Sequence, residues 1–188
     1  MSAKLFALID IATMEKNDKT LLWITQRIHN LDAAMAEYRN KTGSFEEKRD
    51  DILTIKEYLN IPLIVNDDIS LAPFCDGVHL GQDDLLKYAD SVAKSVEHVR
   101  SIIGGKILGI STHNEKEILE ANDTSVDYIG LGAYRKTSTK DTDNILGDRL
   151  SSLALLSKKP VAAIGGVKLN DHIANVSYLV VGAGLYEN

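Results

Sequence analysis

Asp67 and Asp84 are the first residues whose type and placement suggest a chemistry. Each follows a short apolar run, in Asn66-Asp67-Asp68 and Gln82-Asp83-Asp84. Two carboxylates brought together in a chain of net charge −6 repel one another. A divalent cation relieves that, and Mg²⁺ commonly takes one or two carboxylates plus substrate phosphates. Asn-Asp-Asp is also turn composition, so spacing leaves both readings open. Glycines supply the second feature. Gly165-Gly166 and Gly182-Ala183-Gly184 follow late apolar runs. They are either plain turns or places where backbone N–H groups approach an anion closely. Arg27 offers a phosphate fork and Lys140 a point charge, unless both are solvated surface cations. Thr137-Ser138-Thr139, between Lys136 and Lys140, wraps a phosphate or forms an ordinary loop. His79 and His113 read as structural more readily than as catalytic. Cys75 has no evident base, and as the single cysteine it excludes an internal disulfide and a cysteine metal cage.

The elements that must position these residues alternate between short apolar runs and amphipathic stretches. Strands are expected at Lys4–Asp10, Leu21–Gln26, Pro62–Asn66, Gly77–Leu80, Lys106–Ser111, Asp127–Leu131, Pro160–Ile164 and Tyr178–Val181. A long helical region is expected over 31–59, broken near Lys41-Thr42-Gly43. Ser44 with Glu47 makes a capping box for its second part. Further helices are expected at Val92–Ile103, Asn114–Ala121, near Asp148–Ser157 and at about Leu169–Asn175. Strands that are continuous apolar runs, most followed by a helix, imply buried parallel pairing. Eight such units make a (β/α)₈ TIM barrel. At 188 residues the barrel must be shortened. The first helix is expected to be reduced, since Ile11–Thr20 is short for a crossover, and the last helix is expected to be missing. In such barrels the site lies at the C-terminal strand ends, where the acids, histidines, glycines and basic loop all fall.

Composition sets the remaining bounds. Hydrophobic residues at 44% and charged residues at 26% suit one globular domain, residues 1–188. No apolar run approaches the ~20 residues of a membrane helix. Asp10 and Glu15 near the start are unlike a secretory signal, so the cytoplasm is the expected location. The acidic balance argues against nucleic acid as a partner. With two helices short, the outer faces of strands one and eight are expected to form an uncovered apolar strip, and a homodimer would bury it.

Taken together, Ile64–Asp68 (IVNDD), Asp76–Asp84 (DGVHLGQDD), Leu108–His113 (LGISTH), Asp127–Gly132 (DYIGLG), Thr137–Asp141 (TSTKD) and Ile164–Val167 (IGGV) resemble the thiamine phosphate synthase family. The resemblance runs from about Leu21 to Val181 with the motifs in order. It implies a Mg²⁺-dependent transferase that joins hydroxymethylpyrimidine diphosphate to a thiazole phosphate and releases pyrophosphate. Asp67 and Asp84 would then be metal ligands. Asn66, Arg27 and Lys140 would hold the diphosphate. Ser111 would contact the pyrimidine, with His79 beside it. Thr137, Ser138, Thr139 and Gly166 would hold the thiazole phosphate, with Val181 and Gly182 nearby. The implied reaction is dissociative: diphosphate leaves, a pyrimidine methylene cation forms, and the thiazole nitrogen attacks it. The family's strand-two motif, Q-x-R-x-K, is matched to Thr25-Gln26-Arg27-Ile28-His29, which keeps the arginine and lacks the lysine. A family Ile-Ser pair stands here as Val181-Gly182. The alternatives are a thiazole tautomerase-like enzyme, which needs no metal and would use a histidine where His113 sits, and a non-catalytic binder of a thiamine precursor or other phosphate.

Overall fold

A computed structural model describes residues 2–136 and 144–187. Eight parallel strands close in chain order into a barrel: β1 Lys4–Asp10, β2 Met35–Arg39, β3 Leu63–Asn66, β4 Gly77–Leu80, β5 Ile107–Thr112, β6 Tyr128–Leu131, β7 Val161–Ala163 and β8 Tyr178–Val181. Strand β1 pairs with both β2 and β8, as Phe6 opposite Met35 and Val180 shows. The helices are α1 Ile11–Lys16, α2 Leu21–Asn30, α3 Phe45–Tyr58, α4 Gln82–Leu85, α5 Val92–Ile103, α6 Glu115–Asn122 and α7 Arg149–Ala154.

Side chains alternate across each strand. One face packs outward against the helices: Ala7 and Ile9 on β1, Leu63 and Val65 on β3, Leu108 and Ile110 on β5 all belong to that outer core. The other face fills the barrel with Phe6, Leu8, Met35, Ile64, Tyr128, Ala162 and Val180. Phe6 sits edge-on to both Tyr128 and Tyr178, with ring centroids 5.8 and 6.2 Å away. This plug lies toward the N-terminal end, so the polar interior residues further along the strands are left facing an open cavity.

The sequence expectation fails at strand two. Leu21–Gln26 is helical, part of α2, and the second strand is Met35–Arg39, inside the expected helical region. Thr20 caps α2 by accepting from the Trp23 N–H at 3.2 Å. The buried residues Ile24 and Thr25 each lie one helical turn from Ile28, an amphipathic spacing rather than a strand's. The first crossover therefore runs from Ile11 to Ala34 and carries a full helix, α2, with α1 as an additional turn. The Ser44–Glu47 capping box is formed in both directions, at 3.2 and 2.8 Å.

After β7, the segment expected to hold a short helix at 169–175 runs as turns. After β8 comes a single 3₁₀ turn, Ala183–Tyr186. Val167, Ile173 and Leu185 from these segments are buried in the same outer layer as Leu179 and Val181 of β8. Among the described residues, these side chains cover the outer face of the seam between β1 and β8, expected from the sequence to be bare. No helix among the described residues is long and apolar enough to cross a membrane.

Candidate active site

The C-terminal strand ends open into one cavity of about 740 Å³. Its acidic side is built around Gly81. Asp67 follows β3 with φ +61°, a left-handed conformation that Asp and Asn tolerate better than most residues. This turn brings its Oδ1 within 2.9 Å of the Gly81 N–H, which donates to it. Asp84 lies in the first turn of α4. A Cβ placed on Gly81 would sit 3.6 Å from both Asp67 Oδ1 and Asp84 Oδ2, so the two carboxylates flank one point. Each is neutralised by a lysine: Lys41 Nζ pairs with Asp67, and Lys87 Nζ with Asp84 at 2.6 Å. Burial pushes the Asp67 carboxyl up, but the Lys41 ammonium and the Gly81 N–H outweigh it and hold the group below the usual carboxylate range.

These are oxygen donors suited to a hard cation. Among the described residues no group of three or more His, Cys, Asp or Glu could hold a metal. An ion at Asp67 and Asp84 would therefore draw further ligands from water and substrate, which is how Mg²⁺ is usually bound.

Strand β2 supplies the cations. Its interior-facing residues are Met35, Glu37 and Arg39, and Lys41 follows two residues on. Arg39 and Lys41 both line the cavity. Arg39 is held from behind by Asp10, whose carboxylate also caps α1 by accepting from Thr13 N–H at 2.9 Å. Glu37-Tyr38-Arg39-Asn40-Lys41 thus fits the Q-x-R-x-K pattern, with Glu for Gln and both cations kept. Sequence reasoning missed this set, although the Arg-x-Lys spacing of Arg39 and Lys41 was legible.

The floor is a polar chain. His79 Nδ1 lies 2.9 Å from Tyr128 Oη and its Nε2 3.0 Å from Ser111 Oγ. Gln82 Nε2 donates to the Ser111 carbonyl at 2.6 Å. Beside them Glu37 is 3% exposed. Burial, and next the charge of Asp67, push its carboxyl up to about 8, against the opposing effects of an Asn66 hydrogen bond, Arg39 and Lys41. Asn66 Oδ1 is buried without a hydrogen-bond partner. At the rim, His113 Nδ1 is fixed by Glu117 Oε2 at 2.9 Å.

The opposite lobe is lined by Gly165, Gly166, Gly182 and Gly184, with Arg135, Lys136 and Lys168 among them. Gly166 has φ +65°, and a Cβ there would meet Arg135 Cβ at 2.8 Å and the Lys136 carbonyl at 2.9 Å. The close approach of two backbones requires glycine at this point. Arg135 is aligned by a bidentate pair with Asp171 at 2.6 and 2.9 Å. Backbone N–H groups and cations together suit a phosphate.

The structure brings together Asn66, Asp67, His79, Asp84, Ser111, Gly166 and Gly182 around this cavity. It separates the others. Thr25 is buried in α2, its hydroxyl donating to the Leu21 carbonyl at 2.9 Å. Gln26 and His29 are exposed on the same helix. Arg27 donates to the carbonyls of Leu185 and Glu187 at 3.3 and 3.1 Å, tying α2 to the turn after β8. None of these four lines the cavity, because α2 lies outside the barrel. Val181 points outward into the helix-facing core, and its neighbour Val180 lines the cavity instead. Thr137, Ser138, Thr139 and Lys140 lie outside the described residues.

Residues 8–183 match the family described as thiamine monophosphate synthase. The thiamine-phosphate synthase of Persephonella marina is 37% identical over 174 residues, covering 89% of this chain and 78% of that protein. That of Lawsonia intracellularis is 34% identical over 180 residues, covering 89% and 76%. Among solved structures, a thiamine phosphate pyrophosphorylase from Pyrococcus furiosus superposes with TM-score 0.76 at 23% identity, covering 96% of this chain and 87% of that one. A mutant tryptophan synthase α-subunit from the same organism gives 0.69 at 10% identity, covering 99% and 89%. At these identities the two structures show the barrel fold.

Proposed function

The chain belongs to the thiamine monophosphate synthase family of transferases, and on that premise we propose that it joins hydroxymethylpyrimidine diphosphate to a thiazole phosphate and releases pyrophosphate, using Mg²⁺ held by Asp67 and Asp84. One observation carries this reading: two carboxylates flank Gly81 at the rim that also presents Arg39 and Lys41. That juxtaposition suits a diphosphate leaving group and the cation that accompanies it. When bound, the metal ion supplies positive charge to the departing diphosphate oxygens.

The chain's own residues account for the rest. Arg39, aligned by Asp10, gives a fork to phosphate oxygens, and Lys41 gives a point charge. Ser111 and His79 define one wall of the ring pocket, their hydroxyl and imidazole locked to each other and to Tyr128. Gly166 and Gly182, with Arg135 behind them, hold the second phosphate. Catalysis by positioning and charge stabilisation needs no nucleophile–base pair, so in this reading the Ser111–His79 hydrogen bond orients the ring pocket rather than activating a nucleophile. The homodimer expected from the sequence rests on an uncovered strip at the β1–β8 seam, where Val167, Ile173 and Leu185 are instead buried against β8.

The test is direct. Both precursors are mixed with and without Mg²⁺ and pyrophosphate is assayed. Asp67→Asn and Asp84→Ala should abolish Mg²⁺-dependent release while circular dichroism stays unchanged. Full activity in both variants would overturn the reading.

A further inference from the structure

Tyr128 is a titratable group that the proposed reaction leaves unused. It stands on β6 inside the barrel, 3% exposed and edge-on to Phe6. Burial, and after it the charge of Glu37, pushes its phenol well above the usual range, so the O–H keeps its proton. Among the described residues its Oη has one hydrogen-bond partner, His79 Nδ1 at 2.9 Å. The other ring nitrogen, Nε2, lies 3.0 Å from Ser111 Oγ, and Ser111 lines the cavity. Two glycines leave room for this chain. A Cβ on Gly109 of β5 would meet Tyr128 Cζ at 2.2 Å and Oη at 2.5 Å, and a Cβ on Gly130 of β6 would meet His79 Cε1 at 3.0 Å. In a neutral imidazole one nitrogen donates and the other accepts, so the chain can run in two directions. If Nδ1 carries the proton, it donates to Oη, and the phenol proton is left buried without an acceptor. If Nε2 carries it, the phenol donates to Nδ1 and Nε2–H donates to Ser111 Oγ. The serine proton is then turned to the cavity, where it meets solvent or ligand. Only the second direction satisfies every buried donor. An unmade bond at a buried donor costs at least about fivefold in an equilibrium, so the second direction prevails.

We propose that Tyr128 is a positioning residue: by donating to His79 Nδ1 it fixes the Nε2–H tautomer of that ring and makes Ser111 a committed hydrogen-bond donor toward the cavity. Tyr128 does not line the cavity itself and acts through two other side chains. Ser111 therefore meets its ligand with a proton, which suits an atom carrying a lone pair. The inference deepens the synthase reading and rests on it for the ligand, an acceptor atom of the diphosphate substrate. The tautomer is a property of the protein alone.

The first measurement needs no turnover. Nitrogen-15 spectra of the imidazole rings at about pH 8.5 distinguish an Nε2–H ring from an Nδ1–H ring, and the signals lost in His79→Gln assign His79 among the five histidines. The wild type should show the Nε2–H ring. Tyr128→Phe keeps the ring and loses the donor. It should move the tautomer ratio at least about fivefold toward Nδ1–H, because the phenol proton that decides between the tautomers is gone. An Nδ1–H or doubly protonated ring in the wild type would overturn the proposal, as would a ratio that Tyr128→Phe leaves unchanged. Steady-state kinetics at saturating Mg²⁺ then tie the chain to the site. Tyr128→Phe should raise the KM for the pyrimidine diphosphate about threefold and leave that for the thiazole phosphate within about twofold. Ser111→Ala should raise the first KM about tenfold. Adding Tyr128→Phe to Ser111→Ala should change it no further, since the phenol acts only through the serine. Effects that multiply in the double variant would make Tyr128 a packing residue and overturn the proposal. An Nε2–H ring that responds to Tyr128→Phe, in a wild type that releases no pyrophosphate, supports Tyr128 and overturns the synthase reading alone.

Discussion

Glu37→Gln should stabilise the fold, and by an amount that depends on pH. The ordinary value for this carboxyl is 4.5, and in the folded chain it is about 8. Between those values the unfolded chain has released the proton and the folded chain still holds it. The folded state then binds more protons, so stability falls as pH rises. Each pH unit between the two values costs about 1.4 kcal/mol. At pH 7 the deficit is about 3 kcal/mol, and above pH 8 it levels off near 5 kcal/mol. Glutamine has nearly the same shape and no proton to lose, so it removes the deficit. For a chain of this length 1 kcal/mol shifts the melting temperature by about 2–4 °C. The variant should therefore melt about 6–12 °C higher at pH 7, and at the same temperature as the wild type near pH 4. The assay is calorimetric or dichroic melting from pH 4 to 9 in chelator, so that no cation at Asp67 offsets its charge. A constant difference between the two proteins across that range would refute the reasoning, because it would mean that Glu37 does not titrate between its folded and unfolded values. So would a less stable variant at pH 7.

Asp10→Asn keeps a good cap for α1 but removes the partner of Arg39; the KM for the diphosphate substrate should rise about three- to tenfold, with stability down by about 1–2 kcal/mol, as steady-state kinetics and melting would show. Arg27→Ala should cost about 1 kcal/mol by releasing the turn after β8, without changing either KM. His29→Lys, a substitution on an exposed face of α2, should change neither kinetics nor melting temperature by more than the error of the measurement. Gly166→Ala forces a Cβ against Arg135 Cβ at φ +65°; it should destabilise by about 1–3 kcal/mol and raise the KM for the thiazole phosphate more than that for the diphosphate.

Most of the barrel is legible because seven of its strands carry apolar residues on both faces at the N-terminal end and turn residues at the other. β3, β4, β5 and β8 fall within a residue or two of where their apolar runs place them. β2 differs for a physical reason. Its inward positions, Met35, Glu37 and Arg39, serve the cavity, and its outward positions include Ala36 beside Tyr38. Met, Ala, Glu and Arg are good helix formers, so local composition points away from a strand. Tertiary pairing with β1 and β3 overrides it. Trp23, Ile24, Thr25 and Ile28 err in the opposite direction. Their types favour a strand, but the Leu21–Ile24–Thr25–Ile28 spacing is helical and settles the matter once a helix-facing core exists to receive it.

The site follows the same division. Asn66, Asp67, His79, Asp84 and Ser111 stand at the ends of strands that are easily placed, so their convergence on one rim follows from topology alone. Arg39 and Lys41 were hidden by the displaced strand, and Glu37 with them. The spacing Arg-x-Lys is the signal that would have recovered them: two residues apart on an extended chain share a face, whereas in a helix they do not. At β8 the same periodicity decides between neighbours. Tyr178, Val180 and Gly182 share the inward face, and Val181 must then face the helices; a step of one residue exchanges a ligand-facing side chain for a core one. The burial of Val181 has a further consequence for the seam. Val167, Ile173 and Leu185, none of them in a regular helix, cover the outer face that a final helix covers in a longer barrel. Arg27 anchors that cover to α2 through two backbone carbonyls. A cation expected at the diphosphate is thus part of what closes the barrel.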